Sequence, residues 1–487
     1  MRLCDHHCSV GGVVNFVQTS AAGRNHAMVQ SVVPRLVLVL CCCLGFLEPG
    51  WGRGEETAHT SEWRLATFRC DVTPPINGRH PLIWLVPVKE VETPLEARGV
   101  VLDDGHSRYV LCAVDWCGLC NSSYRQFQEK IASALGVPPS HVAVQTVHQH
   151  TAPYTNGDAQ KILDQAGATL PYVDFAFMEA VTDKLAAEVK AAIQRLEPFN
   201  EVGFGSAIVE QVASNRRAWT PEGKLVVRYS ACKDPQIRAL PEGLIDPYVR
   251  TVTFARDGKP LVRLHYYATH PQSFYGDPRA SADVPGFARS RLEQEENVMQ
   301  IYFTGCAGNI TMGKYNDGTR EAREQLVERL YRAMSEASKN TRYERVHRLN
   351  WRVEPFCPIP RSDSGYTEAD LRARVSQKDL DPVQRIRAAG GLAFLARAKQ
   401  PFFAQLLEIN DGAILNLPGE CFVEYQLYAQ SLRPNRFVAV AAYGDLAPGY
   451  ICTAKAYEEG GYEPTATFLD PKSEEVLKNV IAKLLQN

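Results

Sequence analysis

The run Thr146-Val-His148-Gln-His150-Thr-Ala-Pro places two imidazoles two residues apart, where an apolar strand pattern runs out into a loop. Residues i and i+2 of a strand project to one side, so the two rings can converge on one point. Neutral imidazole is the commonest metal ligand. With 12 His in 487 residues, about 0.3 such pairs arise by chance, so the spacing alone is a weak signal. Other strand ends strengthen it. Residues 261–269 run into His270, residues 413–417 into Glu420 on a Pro-Gly turn, and residues 437–442 lead on to Tyr450. Polar side chains at strand C-terminal ends are where α/β sheets build their sites. Two imidazoles, a carboxylate and a phenolic oxygen suit zinc with a position left for water. Each residue also has a plain structural alternative: His270 as a satisfied core histidine, Glu420 as a helix N-terminal charge, Tyr450 as a core aromatic.

Seven short segments, in order along about 320 residues, resemble the neutral (non-lysosomal) ceramidase family. Val147-His-Gln-His-Thr-Ala-Pro153 is similar to its THTHSGP segment, Ser214-Asn-Arg216-Arg to NRS, Ala268-Thr-His270-Pro to AIHP, and Ala282-Asp-Val-Pro-Gly286 to GDNKG. Leu417-Pro-Gly-Glu420 is similar to VPGE, Gly449-Tyr450-Ile-Cys-Thr453 to HYITT, and Gly461-Tyr462-Glu463 to RYE. The resemblance implies a Zn2+ cofactor held by His148, His270, Glu420 and Tyr450. It implies that His150, Arg216 and Tyr462 face the scissile amide and its developing oxyanion. A permanently cationic guanidinium and a phenolic donor suit that task.

The departure is at the nucleophile. The family's GDVSPN segment corresponds to Gly308-Asn-Ile-Thr311-Met-Gly313, so its serine is threonine here. Threonine keeps the hydroxyl, but its methyl stiffens the rotamer and crowds the approach. Attack by Thr311, attack by zinc-activated water, and loss of hydrolysis are all open, with water favoured because it needs only residues that are retained. The expected function is a zinc-dependent amidohydrolase acting on an N-acyl lipid or related amide. The alternative is a non-catalytic zinc- or lipid-binding relative.

A redox reading competes. Cys117-Gly-Leu-Cys120 stands between a strand pattern and a helix pattern, the thioredoxin arrangement, in which a helix N-terminus lowers a thiol pKa. The strands that follow do not keep that order, so a structural disulfide or paired thiols are the leading expectation for Cys117 and Cys120. Asn121-Ser-Ser and Asn309-Ile-Thr fit the glycosylation sequon, a pattern of low specificity.

The elements that must position these residues alternate short apolar runs with helical spacing and show no repeating period. This predicts an α/β fold with mixed sheets and flanking helices in one large catalytic domain over residues 61–487. Strands are expected at 109–115, 141–147, 299–303 and 437–442, and hairpins around Asp257-Gly258 and Asp411-Gly412. Helices are expected at 121–135 (capped by Asn121 or Ser122), 173–196, 285–296, 321–337, 422–432 and 473–485.

Composition bounds the rest. The chain is 45% hydrophobic and 22% charged with a formal charge of −2, which removes the basic excess a general nucleic-acid binder needs. A small-molecule or lipid-like substrate fits, and no polybasic run supports more than peripheral membrane contact. Residues 36–47 (LVLVLCCCLGFL) suit a signal-peptide core within residues 28–52, with residues 1–27 a misassigned start or leader. Export, secreted, periplasmic or at the cell surface, is expected, with a membrane anchor through residues 36–47 as the alternative.

Overall fold

The computed structural model describes residues 63–486. The leader, signal and anchor expectations over residues 1–52 lie outside the described residues. Among those described, no helix is long and apolar enough to cross a membrane.

One supersecondary unit occurs three times. In the first sheet, Glu96–Asp103 and Arg108–Val114 form an antiparallel hairpin, helix Ser122–Leu135 crosses over, and Val142–Thr146 returns parallel to the second hairpin strand. In the second, the hairpin Tyr248–Arg256 and Lys259–Tyr267 is followed by helix Asp283–Glu296 and the parallel strand Met299–Thr304. In the third, Phe402–Ile409 and Gly412–Asn416 lead through helix Val423–Ser431 to the parallel strand Val438–Ala441. The returning strands are buried along nearly their whole length. Their continuous apolar runs (VAVQT, MQIYFT, VAVA) are what a strand covered on both faces requires. No sequence period announces the repetition, because burial constrains only residue class and the loops differ in length.

The three returning strands meet at their C-terminal ends. The Thr146 amide donates to the Tyr443 carbonyl at 2.8 Å, and the Ala442 amide to the Thr304 carbonyl at 2.9 Å. The Thr304 hydroxyl donates to the Val147 carbonyl at 2.6 Å. Every loop that follows these strands therefore starts from one small region.

The α/β expectation holds, and the named elements agree to within a few residues. The helix expected at 173–196 is Phe175–Ala192 followed by one 3-10 turn, Ile193–Arg195. The second hairpin turns on Asn410 and Asp411, since Gly412 already pairs with Ile409. The side chain of Asn121 does not cap its helix; its backbone amide donates instead to Asp445 Oδ1 at 2.8 Å. Helix Pro382–Arg397, whose interior carries Gly390-Gly391, and the charge-bearing edge strand Leu349–Phe356 were not anticipated. Glycine lowers helix propensity and charges blur strand alternation, so tertiary packing decides both. Asn121 and Asn309 are fully buried, which removes both sequons as modification sites in the folded chain.

Candidate functional site

Three of the expected ligands converge where the sheets meet. The strand ends at Thr146, and His148 adopts φ 71°, so its ring leaves the i, i+2 register assumed from the sequence. Its Nδ1–H donates to the Cys117 carbonyl at 2.5 Å, which leaves a lone pair on Nε2. His270 repeats the arrangement, with Nδ1–H donating to the Ala307 carbonyl at 2.8 Å. Glu420 follows Gly419, whose φ of +71° makes the tight turn, and pairs in a two-residue parallel ladder with Tyr450. Gly308 lets the second sheet's loop approach: a Cβ there would lie 2.4 Å from the Glu420 carbonyl oxygen.

The two Nε2 atoms stand 3.0 Å apart, and Glu420 Oε2 lies 3.3 Å from one and 3.6 Å from the other. Glu420 Oε2 is buried without a hydrogen-bond donor. Three acceptors thus face one another with no proton assigned between them, an arrangement that costs several kcal/mol unless a cation fills the centre. The donor set, two neutral imidazoles and a carboxylate, fits zinc. The carbonyls that hold each Nδ1–H are the partners that fix a metal-binding tautomer.

Cys117, His148 and His150 form a second group close enough to share an ion. It is the weaker one. The Cys117 thiol faces His148 Nδ1 at 3.9 Å, on the ring edge already bound to a carbonyl, and burial pushes that thiol well above its ordinary pKa.

Of the remaining expected residues, His150 lies beside the trio. Its ring is 4.9 Å from that of His148 and 5.3 Å from that of His270, and Nδ1–H donates to the His148 carbonyl at 3.1 Å. Burial, followed by the neighbouring His148 ring and the Arg216 charge, holds its pKa well below the imidazole range. Burial and Arg216 do the same for His270. Arg216 donates to the Tyr450 hydroxyl at 3.2 Å and to Glu463 at 3.4 Å. Burial opposes its charge, and Tyr450 and Glu463 overcome that, so the guanidinium stays protonated. Its Cζ sits 5.6 Å from the ring centres of both Tyr450 and Tyr462. Burial pushes the Tyr450 hydroxyl well up, which keeps it a neutral donor.

Thr311 does not line the cavity. It is fully buried, its hydroxyl donates to Ser230 Oγ at 2.9 Å, and it accepts from the Gly313 amide at 3.2 Å. Ser230 is the residue that reaches the cavity wall. The resemblance left Thr311 open as a nucleophile; here its hydroxyl bonds to Ser230, and the residue lines neither of the two cavities at the site.

The redox reading is corrected. Cys117 is followed by a short strand, Gly118–Cys120, and the helix begins only at Ser122, so no helix N-terminus addresses the thiol. All nine cysteines among the described residues are free, and burial raises both Cys117 and Cys120 well above the thiol range. They carry no disulfide and no activated thiolate.

Several site residues escaped the sequence. Tyr443 stacks on His148 with ring centres 4.3 Å apart. Ser230, Trp84 and Arg387 also line the cavities around the site. Tyr443 lies just past a strand end and was within reach of the strand-end rule. Trp84 and Arg387 arrive from distant segments with no local signal.

No family model and no curated protein matches the chain by sequence. Solved structures match by shape. Neutral ceramidase from Pseudomonas aeruginosa superposes with a TM-score of 0.65 at 15% identity, covering 87% of this chain and 74% of that one. A ceramidase complexed with C2 gives the same TM-score and identity, covering 87% of this chain and 75% of that one. The chain has a ceramidase-like fold.

Proposed function

We propose that the protein is a zinc-dependent hydrolase that cleaves the amide of an N-acyl lipid or a related compound. The observation that carries this reading is the convergence of His148 Nε2, His270 Nε2 and Glu420 Oε2 without a donor among them. The likeness to ceramidase structures supports the reaction class.

His148, His270 and Glu420 would hold the zinc, with the Tyr450 hydroxyl beside them. Zinc there supplies Lewis acidity, lowering the pKa of a coordinated water towards about 7. The chain's own residues do the rest. Arg216 offers a fixed positive charge and Tyr462 a phenolic donor to the carbonyl oxygen as it gains charge, interactions worth about 10²–10³ in rate. His150 has spent Nδ1–H on the His148 carbonyl, so Nε2 has a lone pair free to accept a proton. The Thr311 hydroxyl is committed to Ser230, which favours water over Thr311 as the attacking group.

The test is metal analysis of the purified mature protein followed by turnover of a panel of N-acyl amides and esters. Stoichiometric zinc with amide turnover supports the reading. Zinc without any turnover supports the non-catalytic relative, and no metal defeats both. Export is proposed on residues 36–47 and is tested by the N-terminal sequence of protein recovered outside the cytoplasm.

A further inference from the structure

Two cavities open from the site and share Trp84, His150, Arg387, Tyr450 and Tyr462. One arm carries an apolar wall of Ile83, Leu371, Ile386 and Phe468 beside polar groups that include Glu420 and Arg374. The other sets Arg216, Ser230 and His270 against the aromatic side chains of Tyr229 and Tyr275. An amide at the shared residues would extend its acyl side and its amine side into the two arms.

Arg387 sits at the junction. It projects from helix Pro382–Arg397, its Nη2 donates to the Tyr462 hydroxyl at 3.4 Å, and its Cζ lies 5.3 Å from a Trp84 ring centre. Arg216 and Arg217 are neutralised by Glu463 and Glu459. Arg387 has no carboxylate within 4.0 Å among the described residues, and neither does Arg374, which lines the first arm. Two guanidinium groups without a carboxylate partner leave donors free toward the cavity, and an anion there would gain charge-assisted hydrogen bonds. A planar fork of donors matches a carboxylate or a sulfonate.

We propose that the substrate carries a negative charge a few atoms from its amide, as in an N-acyl amino acid or N-acyl sulfonate, and that Arg387 binds that charge. This rests on the amide-hydrolase reading above. Water adds to the acyl carbon, the C–N bond breaks, and the amine leaves with the proton. The products are a fatty acid carboxylate and an ammonium compound that keeps its anion.

Zinc-loaded full chain would be assayed on three probes of equal acyl length: N-decanoylglycine, N-decanoyltaurine and the neutral N-decanoylethanolamine. An anionic probe is expected to exceed the neutral one in kcat/KM by about tenfold, the usual worth of a charge-assisted bond. Arg387→Gln should bring the anionic and neutral probes to within about twofold of each other, and Arg387→Lys should restore part of the preference. Glycine against taurine separates a carboxylate from a sulfonate. Equal or faster turnover of the neutral probe overturns the proposal while the hydrolase stands. An equal loss on all probes in Arg387→Gln also overturns it, leaving Arg387 to position Tyr462. Calorimetric binding of the same probes to Glu420→Gln separates the two readings. Tighter binding of an anionic probe that Arg387→Gln abolishes supports the anion site even if no probe is hydrolysed.

Discussion

Two polar clusters touch each other in this protein and behave in opposite ways. The Cys117 carbonyl accepts the proton of His148 Nδ1, so the cysteine pair and the histidine–glutamate trio are neighbours. Both begin as short motifs at the end of a strand pattern. In the trio, every nitrogen facing away from the centre is hydrogen-bonded to a carbonyl, and every atom facing inward is a bare acceptor. In the cysteine pair, burial raises both thiols well above the ordinary thiol range and favours the protonated form. A motif becomes a site when its neighbours satisfy one edge and leave the other unsatisfied.

The sharpest way to break this contrast is Glu420→Gln. It replaces a carboxylate by an amide at unchanged volume, and bound zinc and turnover should both fall, turnover by about a thousandfold or more. Retention of stoichiometric zinc would remove Glu420 from the ligand set. Arg216→Met should lower kcat by about 10²–10³ while zinc content stays at one equivalent, since the guanidinium serves the oxyanion and not the metal. Equal zinc loss in both variants would merge the two roles.

Acid stability tests the buried histidines outside the trio. Burial lowers His265 from 6.5 to about 4 and His80 to about 3. The unfolded chain therefore binds protons that the folded one refuses. Stability should be complete above pH 6.5 and fall below it, the His265 part, roughly 3 kcal/mol, being lost by about pH 4 and the His80 part, roughly 5 kcal/mol, by about pH 3. Asp445 acts in the opposite sense: burial raises it to about 6, which offsets part of the loss. Urea midpoints between pH 7 and pH 4 measure the slope, and a flat profile would contradict it.

Thr311→Val keeps the volume and removes two hydrogen bonds, so it should cost about 2 kcal/mol of stability and leave turnover within about threefold. A loss of activity with unchanged stability would return the nucleophile to Thr311. The smallest effect is expected from the double variant Cys117→Ala and Cys120→Ala, about 1 kcal/mol per site, with metal content and turnover retained.

How much of this was legible beforehand varies with the kind of interaction. His148, His270 and Glu420 were readable because each follows an apolar strand run, and strand ends deliver side chains to one edge of a sheet. The surroundings of Thr311 were not legible, because a motif fixes a position along the chain, while the Ser230 hydroxyl it meets comes from 81 residues away. Arg387 was invisible for the same reason, lying 75 residues before the Tyr462 hydroxyl it meets.

The sequence by itself determined the α/β alternation, the buried strands and the residue types able to bind a metal, since these rest on local periodicity and side-chain chemistry. Only the tertiary structure decided that three separate hairpin–helix–strand units meet end to end. It alone turned two imidazoles into the tautomers that leave Nε2 bare, sealed Thr311 behind Ser230 and left Arg387 without an anion. Those outcomes depend on distances between segments far apart in the chain, and no local pattern encodes them.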